Sequence, residues 1–234
     1  MKIMSFNTQH CESYTEGKID FELMAKAIQE CGADIIGLNE MRGAGEIADF
    51  TDQTEALSAL TGMKHSYFAK AIDVGGKNAP YGNAILSKYP IERAETIIVP
   101  DPTFKLEGRR NYETRCLLKA VLSCKITVMV IHFGLNPDEQ ENAVRTVMEN
   151  LEDERCILMG DFNVTPDNSI LDPIRAKMVD AADLFKEEKL SFPSDKPTRK
   201  IDYIFTTPDL ELLDADIPAI VASDHRPHIA EIKE

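Results

Sequence analysis

Residues 113–124, ETRCLLKAVLSC, run almost directly into residues 125–134, KITVMVIHFG. Two long β-rich stretches with so little between them predict an antiparallel hairpin in a sheet that is buried on at least one face. Such a sheet needs apolar cover, and the rest of the chain reads as its supplier. Lys2 to Asn7 reads as a strand. Phe21, Met24, Ile28 and Cys31 then fall at helical spacing, with Gly32 as the stop. DIIGLNE (34–40) is a short strand, followed by a helix through Glu55 to Leu60 that ends at Gly62. HSYFAKA, GNAILSK and AETIIVP read as strands separated by Gly, Pro and Asn. Val144, Val147, Met148 and Leu151 mark an amphipathic helix preceded by Pro137. CILMGDFN (156–163), IDYIFTT (201–207) and PHIAEIK (227–233) complete the strands. Many strands, several antiparallel, with a few interspersed helices predict an α/β sandwich: two packed, mixed, mainly antiparallel sheets flanked by helices. An all-parallel Rossmann sheet fits less well. No repeat, low-complexity tract or long linker interrupts the pattern, so residues 1–234 are read as one domain with enough apolar content, 43%, for a sizeable core.

Charge narrows the function classes. Twenty-six basic against forty acidic side chains give a formal net charge of −14, a field that repels polyanions and anionic membrane surfaces. The five cysteines, Cys11, Cys31, Cys116, Cys124 and Cys156, are odd in number and widely spaced without a CxxC pair. They read as reduced thiols of a cytoplasmic protein, each a small buried hydrophobe, and not as a disulfide framework or zinc site. The first residues, MKIMSFNTQH, go straight into a strand with no apolar h-region, so no signal peptide is expected in the sequence as it stands. Apolar runs are too short for a membrane span. Oligomeric state is not legible.

The polar residues sit in a recurring position. MSFNTQ ends an apolar strand in Asn7, IIGLNE ends another in Glu40, and VMVIHFGLN places His132 at the end of a third. In CILMGDFN, side-chain alternation puts Asp161 and Asn163 on one face and Phe162 on the other. KIDYIF holds Asp202 among apolar neighbours, and ASDHRP presents Asp224 and His225 in tandem. Each has a plain structural explanation on its own: Gly-Asp-Phe-Asn is a good turn, and a lone histidine often belongs to a core. Together, six strand ends or adjacent loops deliver carboxylates, amides and imidazoles to one region, the way a scaffold assembles a site at a sheet edge. Oxygen ligands such as Glu40 and Asn7 suit a hard cation, Mg²⁺, Mn²⁺ or Ca²⁺. Histidines beside carboxylates suit charge stabilisation or proton transfer on a phosphoryl group. The sequence contains no GxSxG, Walker A or GxGxxG motif. Metal-assisted hydrolysis of a phosphate ester is the chemistry left.

The ordered set SFN, LNE, YGNAILSKYPI, VIHFGLN, GDFN, KIDYIF and SDHRP resembles the endonuclease/exonuclease/phosphatase superfamily, with its deoxyribonuclease I-like fold, from Asn7 to His225. The resemblance implies a four-layer α/β/β/α sandwich with the active site at one edge of the two sheets. It implies that Glu40 binds the divalent cation with Asn7 close by, and that Asp224 sits beside the metal or organises the nucleophile. Asp161 would position or deprotonate the attacking water, and Asn163 would hold the phosphate and that water. Asp202 would orient His225, which faces the phosphate, while His132 matches a second phosphate-contacting position. Asn83 and Asn136, inside YGNAILSKYPI and VIHFGLN, are carried over as substrate-binding residues.

Three departures stand out. The family's usual LQE reads LNE, with Asn39 as the shorter amide; Phe133-Gly134 follows the histidine motif; and RKIDYIF replaces the WCDR-like segment of inositol phosphatases, which disfavours that branch. Arg115, just before a buried strand, is read as a phosphate clamp, with Arg109 and Arg110 as further candidates beside Glu113. The Gly-rich segment 71–81, AIDVGGKNAPY, is read as a loop near the site. The resulting expectation is a metal-dependent phosphoesterase acting on a phosphorylated small molecule or a phosphodiester of modest size. A DNA or RNA nuclease is the alternative, at odds with the net charge. A non-catalytic binding domain on the same fold is the third reading, at odds with the full set of acids and histidines.

Overall fold

Strand β1 (Lys2–Asn7) is apolar on both faces: Ile3 joins one cluster of buried residues, while Met4 and Phe6 join another. A strand buried on both sides must lie inside a layered structure, and the computed structural model, which describes residues 1–48, 50–105, 108 and 111–233, shows the layers. The strands that follow are β2 (Ile35–Arg42), β3 (His65–Asp73), β4 (Pro80–Ser87), β5 (Ile91–Ile98), β6 (Cys116–Leu122) and β7 (Thr127–His132). The last five are β8 (Cys156–Asp161), β9 (Val179–Asp180), β10 (Asp202–Thr206), β11 (Leu212–Asp216) and β12 (His228–Ile232). One six-stranded sheet has the order β11-β12-β1-β2-β4-β3, the other β5-β6-β7-β8-β10-β9.

Each sheet contains a single parallel pair among its described strands, β1/β2 and β7/β8, and the remaining neighbours are antiparallel. A parallel pair requires a crossover, and helices α1 (Phe21–Cys31) and α3 (Pro137–Asn150) supply them. The side chain of Asp20 accepts from Leu23 N at the start of α1, and Gly32 ends it at φ +66°. Asn136 and Glu139 form a capping box at α3, with Pro137 in its first turn. Helices α2 (Gln53–Thr61) and α4 (Asp172–Arg175) complete the outer layers.

Three apolar clusters separate four layers. Ile3, Ile35, Leu118, Val130, Met159 and Ile204 meet between the sheets. Met4, Phe6, Met24, Ile28 and Leu57 fill the space beneath α1 and α2, and Leu117, Ile131, Val147, Leu158 and Phe205 the space beneath α3. This is the expected α/β/β/α sandwich. The predicted strands and helices are present, including the hairpin of β6 and β7. Sequence patterning did not indicate β9, β11 or α4: the first and last span two and four residues, and β11 is an edge strand without buried residues. Cys11, Cys31, Cys116 and Cys156 are buried, and burial raises the pKa of each thiol, as expected of small core residues. No helix among the described residues is long and apolar enough to cross a membrane.

The layering also positions the polar strand ends. Asn7 continues the inter-sheet row of Ile3, Asn39 that of Ile35, His132 that of Val128 and Val130, and Asp161 that of Ile157 and Met159, while Asp202 begins the row that Ile204 joins. The apolar filling between the sheets thus gives way to polar side chains at one end of the sandwich.

Candidate active site

At that end, Asp161 is the common neighbour. Its Oδ2 accepts from Asn7 Nδ2 at 3.0 Å and lies 3.5 Å from His132 Nε2 and 3.6 Å from His225 Nε2. Its Oδ1 accepts from the backbone N–H of Asn163 at 2.9 Å. Two neighbouring strands fix this placement: in the ladders, Asp161 is paired with His132 on β7 and with Asp202 on β10. Gly160 permits it, because a Cβ there would stand 1.7 Å from the Ile131 carbonyl oxygen. Strand β8 ends at Asp161, and Asn163 adopts φ +53°, so Asn163 does not continue the strand alternation. GDFN is both a turn and part of the cluster. The turn swings the Asn163 amide to 3.1 Å from His132 Nε2 and 3.1 Å from the Phe133 carbonyl.

Glu40 reaches the same place through a bulge. The register of β2 against β4 shifts between Leu38 and Met41, and Glu40 sits at φ +62°, an uncommon conformation for a residue with a Cβ. Its Oε1 accepts from Asn7 Nδ2 at 3.0 Å, so one amide bridges Glu40 and Asp161. Burial and the Glu40 charge push the Tyr81 hydroxyl well above its ordinary pKa. Segment 71–81 is therefore a hairpin end whose last residue flanks Glu40, with only its tip outside the strands.

Asp202 and His225 form a tight pair, Oδ2 to Nδ1 at 2.8 Å. Burial lowers the His225 pKa, but the Asp202 and Asp161 carboxylates outweigh it and lift the imidazolium to about 10. Burial raises Asp161, opposed by His225 and reinforced by Asp202. Asp224 is raised too, by burial, with His225 opposing and Glu40 adding to the rise. His132 goes the other way: it is buried beside Arg115, and both effects hold it well below the ordinary imidazole range. The ring of Phe192 packs, tilted, against His225 with centroids 4.8 Å apart, and the Arg199 guanidinium lies over the same Phe192 ring, 4.8 Å from its centroid. A cavity of ≈470 Å³ is walled by Thr165, Phe185, Thr198, Arg199 and Lys200 among others, and no side chain of the cluster lines it.

These side chains fit a hard divalent cation. Asp161 and Asp224 both lean on His225 for positive charge, Glu40 adds another carboxylate, and Asp202 Oδ1 is buried without a hydrogen-bond partner. Asp161 and Asp202 can each present a carboxylate oxygen within 4.8 Å of the other, beside His225. The oxygen donors nearby are carboxylates and amides, the set that Mg²⁺, Mn²⁺ or Ca²⁺ takes.

The remaining expected residues have internal partners. Arg115 is buried, with Nη2 2.9 Å from Glu113 Oε2 and Nη1 3.0 Å from His132 Nδ1. Asn83 accepts from Asn39 Nδ2 at 2.8 Å and donates to the Cys116 carbonyl at 2.8 Å, so its amide bridges the two sheets. Asn136 donates from Nδ2 to Glu139 Oε2 at 2.7 Å, within the helix cap. Arg109 and Arg110 lie outside the described residues.

Sequence reasoning passed over three contributors. Asn39 donates to the Ile131 carbonyl at 3.1 Å, and its Oδ1 accepts from Asp161 N at 3.0 Å, which stitches the two sheets together beneath the cluster. Its place in the inward row of Ile35 was the available signal. Gln53 accepts from Arg42 N and donates to the His10 carbonyl, tying the Glu40 bulge to the segment after β1. Phe192 left no local signal, because its contact with His225 spans distant loops.

Comparison with known proteins agrees with the architecture. The Escherichia coli protein YbhP is 28% identical over 159 residues, a match that covers 58% of this chain and 56% of YbhP, so the chain matches little more than half of that relative's length. An endonuclease/exonuclease/phosphatase structure from Beutenbergia cavernae superposes with TM-score 0.79 at 20% identity, covering 100% of this chain and 71% of the other. The Bacteroides thetaiotaomicron mannosyl-6-phosphatase Bt3783 superposes with TM-score 0.77 at 16% identity, over 100% of both chains. At such identities the two structures establish the shared fold. The model of the Endonuclease/Exonuclease/phosphatase family matches residues 4–225. With that match spanning nearly the whole sequence and the fold shared, the chain belongs to the endonuclease/exonuclease/phosphatase family.

Proposed function

We propose that this protein is a divalent-metal-dependent phosphoesterase that hydrolyses a phosphodiester or phosphomonoester of small or modest size by in-line attack of water. The observation that carries the reading is the convergence on one buried carboxylate, Asp161, of Asn7, His132, Asn163 and His225 from separate strand ends and loops. A carboxylate whose pKa is raised by burial is a competent acceptor for a water proton near neutral pH. Asp161 is assigned that role. His225, held as a cation by Asp202, neutralises charge that develops on the phosphoryl oxygens. Asn163 and His132, 3.1 Å apart beside Asp161, are assigned a further contact with the phosphoryl group. Glu40, with Asn7 and Asp224 beside it, would hold the cation. A bound divalent ion polarises a phosphoryl oxygen and lowers the pKa of bound water. The net charge of −14 speaks against a polyanionic substrate.

The test is a screen of purified protein with Mg²⁺ or Mn²⁺ over p-nitrophenyl phosphate, bis(p-nitrophenyl) phosphate, nucleotides, sugar phosphates, phospholipids and oligonucleotides, with and without chelator. Turnover of a small phosphoester that chelator abolishes is expected. Absence of turnover across the panel, with metal binding shown by calorimetry, refutes the proposal. A strong preference for oligonucleotides transfers it to the nuclease reading.

A further inference from the structure

His132 has a nitrogen donor against each of its ring nitrogens, and a neutral imidazole can accept at only one. Arg115 Nη1 stands 3.0 Å from Nδ1, and Asn163 Nδ2 stands 3.1 Å from Nε2. A guanidinium carries N–H groups and no acceptor, and it stays protonated. A hydrogen bond between Arg115 and His132 therefore needs a bare Nδ1, which leaves the single proton on Nε2. The reverse tautomer would aim an N–H at a cation inside the protein. Arg115 is not free to turn away: it is 9% exposed and its Nη2 is paired with Glu113, whose backbone N–H donates to Glu139 Oε1 at 3.0 Å.

The Asn163 amide is fixed as well. Its Nδ2 donates to the Phe133 carbonyl, an atom that only accepts, so the amide cannot be flipped without setting two oxygens against each other. Two N–H groups, on His132 Nε2 and Asn163 Nδ2, thus converge at 3.1 Å, and the Asp161 carboxylate 3.5 Å from Nε2 is a distant acceptor for them. An oxygen atom between the two donors would satisfy both. We infer that Arg115 is a positioning residue that fixes His132 as the neutral Nε2–H tautomer, so that His132 and Asn163 form a two-donor seat for one phosphoryl oxygen. The seat's ligand rests on the phosphoesterase reading above. The tautomer rests on the Arg115 contact alone.

The experiment is an ¹⁵N-detected histidine side-chain spectrum of the Mg²⁺-loaded protein at pH 7, with His132 assigned through His132→Gln. The expected result is an Nδ1 in the bare, hydrogen-bond-accepting range and a proton bonded to Nε2. A proton on Nδ1, or on both nitrogens, overturns the inference whether or not the protein is active. In Arg115→Met the two tautomers should mix, and kcat on bis(p-nitrophenyl) phosphate should fall on the order of 10²-fold, the scale of one transition-state donor, with KM nearly constant. Arg115→Lys, which keeps an N–H donor, should hold the wild-type tautomer. A rise in KM at unchanged kcat in Arg115→Met would make Arg115 a substrate clamp and overturn the positioning role. Wild-type protein with the Nε2–H tautomer but no phosphoesterase turnover would sink the proposed function and leave the tautomer assignment standing.

Discussion

Both oxygens of Asp161 are engaged, one by a side-chain amide between two imidazoles and the other by the backbone of its own turn. Replacing it by Asn keeps the shape while removing the charge and the proton acceptor. Asp161→Asn should therefore lower kcat by about 10³-fold, the middle of the range for a general base. It should also lower the His225 pKa, since Asp161 is the second carboxylate that supports the imidazolium. Steady-state kinetics and a histidine titration would show both; near-normal kcat would remove Asp161 from the reaction. Glu40 makes a separable case. It shares the Asn7 amide with Asp161 but is partly exposed, so Glu40→Gln preserves the hydrogen bond to Asn7 and removes one anionic oxygen. Mg²⁺ affinity by calorimetry should fall at least about 10-fold, since even the partners of a ligand account for 10–100-fold. Unchanged affinity would exclude Glu40 from the metal site.

At the scale of elements, two devices hold the site in shape, and neither is a loop. The first is the close approach of β7 and β8 at Gly160. A methyl group there would collide with the Ile131 carbonyl, one residue before His132 and one before Asp161 on the paired strand. Gly160→Ala should cost about 3 kcal/mol or more, because two backbones must separate in a close-packed interior, and activity should fall with stability. A denaturation midpoint close to wild type would contradict that geometry. The second is Gln53, wholly buried, which serves one backbone N–H beyond the Glu40 bulge and one carbonyl in a segment where Gln9, His10 and Cys11 all have positive φ. These devices show what the sequence could and could not convey. Period-two apolar runs ending in Asn7, Glu40, His132 and Asp161 announce strands and a shared edge, because side-chain alternation is a local property. The four-layer arrangement follows from those runs together with the helices between them. The turn at Asn163 was legible in Gly-Asp-Phe-Asn, but the bulge at Glu40 and the pairing of Arg115 with His132 were not. Each depends on which strand lies beside which, and on register, over separations that no local pattern encodes. Asn136 is the cap of α3, a role that Asn136-Pro137-Asp138-Glu139 encodes locally as a capping box.

Across the whole molecule, the two sheets repeat one plan: a parallel pair crossed over by a helix, flanked by antiparallel strands, with its polar strand ends pointing to the same edge. Stability is thereby coupled to the charge state of a buried cluster. His225 holds its proton to about 10, whereas an unfolded histidine releases it near 6.5. Between those values the folded state binds more protons than the unfolded one, so the stability this group contributes is complete below pH 6.5 and is lost as pH rises through about 10. Asp161, raised by burial, acts in the same direction. His132, His228 and His10, whose pKa values burial lowers, act in the opposite direction across the same interval, because the unfolded chain is still half protonated at each near 6.5 and sheds that charge by about 7.5. Lys200, lowered to about 8 by burial, opposes the trend only as pH approaches that value. Between pH 6.5 and 7.5 the loss from His225 and Asp161 together exceeds what these histidines return, so the net slope is downward. Of the metal-free protein's stability, about 1 kcal/mol is lost across that interval at His225, and the net fall after the opposing histidines should be on the order of 1–3 °C in Tm for a chain of this length. Asp202→Asn, which removes the main support of the imidazolium, should flatten the slope, and saturating Mg²⁺ should raise Tm more at pH 7.5 than at 6.5, because cation binding is favoured where the carboxylates are ionised. A Tm that rises with pH in the metal-free protein over this interval would mean that His225 is not held as a cation by Asp202 and Asp161, and would remove the charge assignment on which its role beside the phosphoryl group depends.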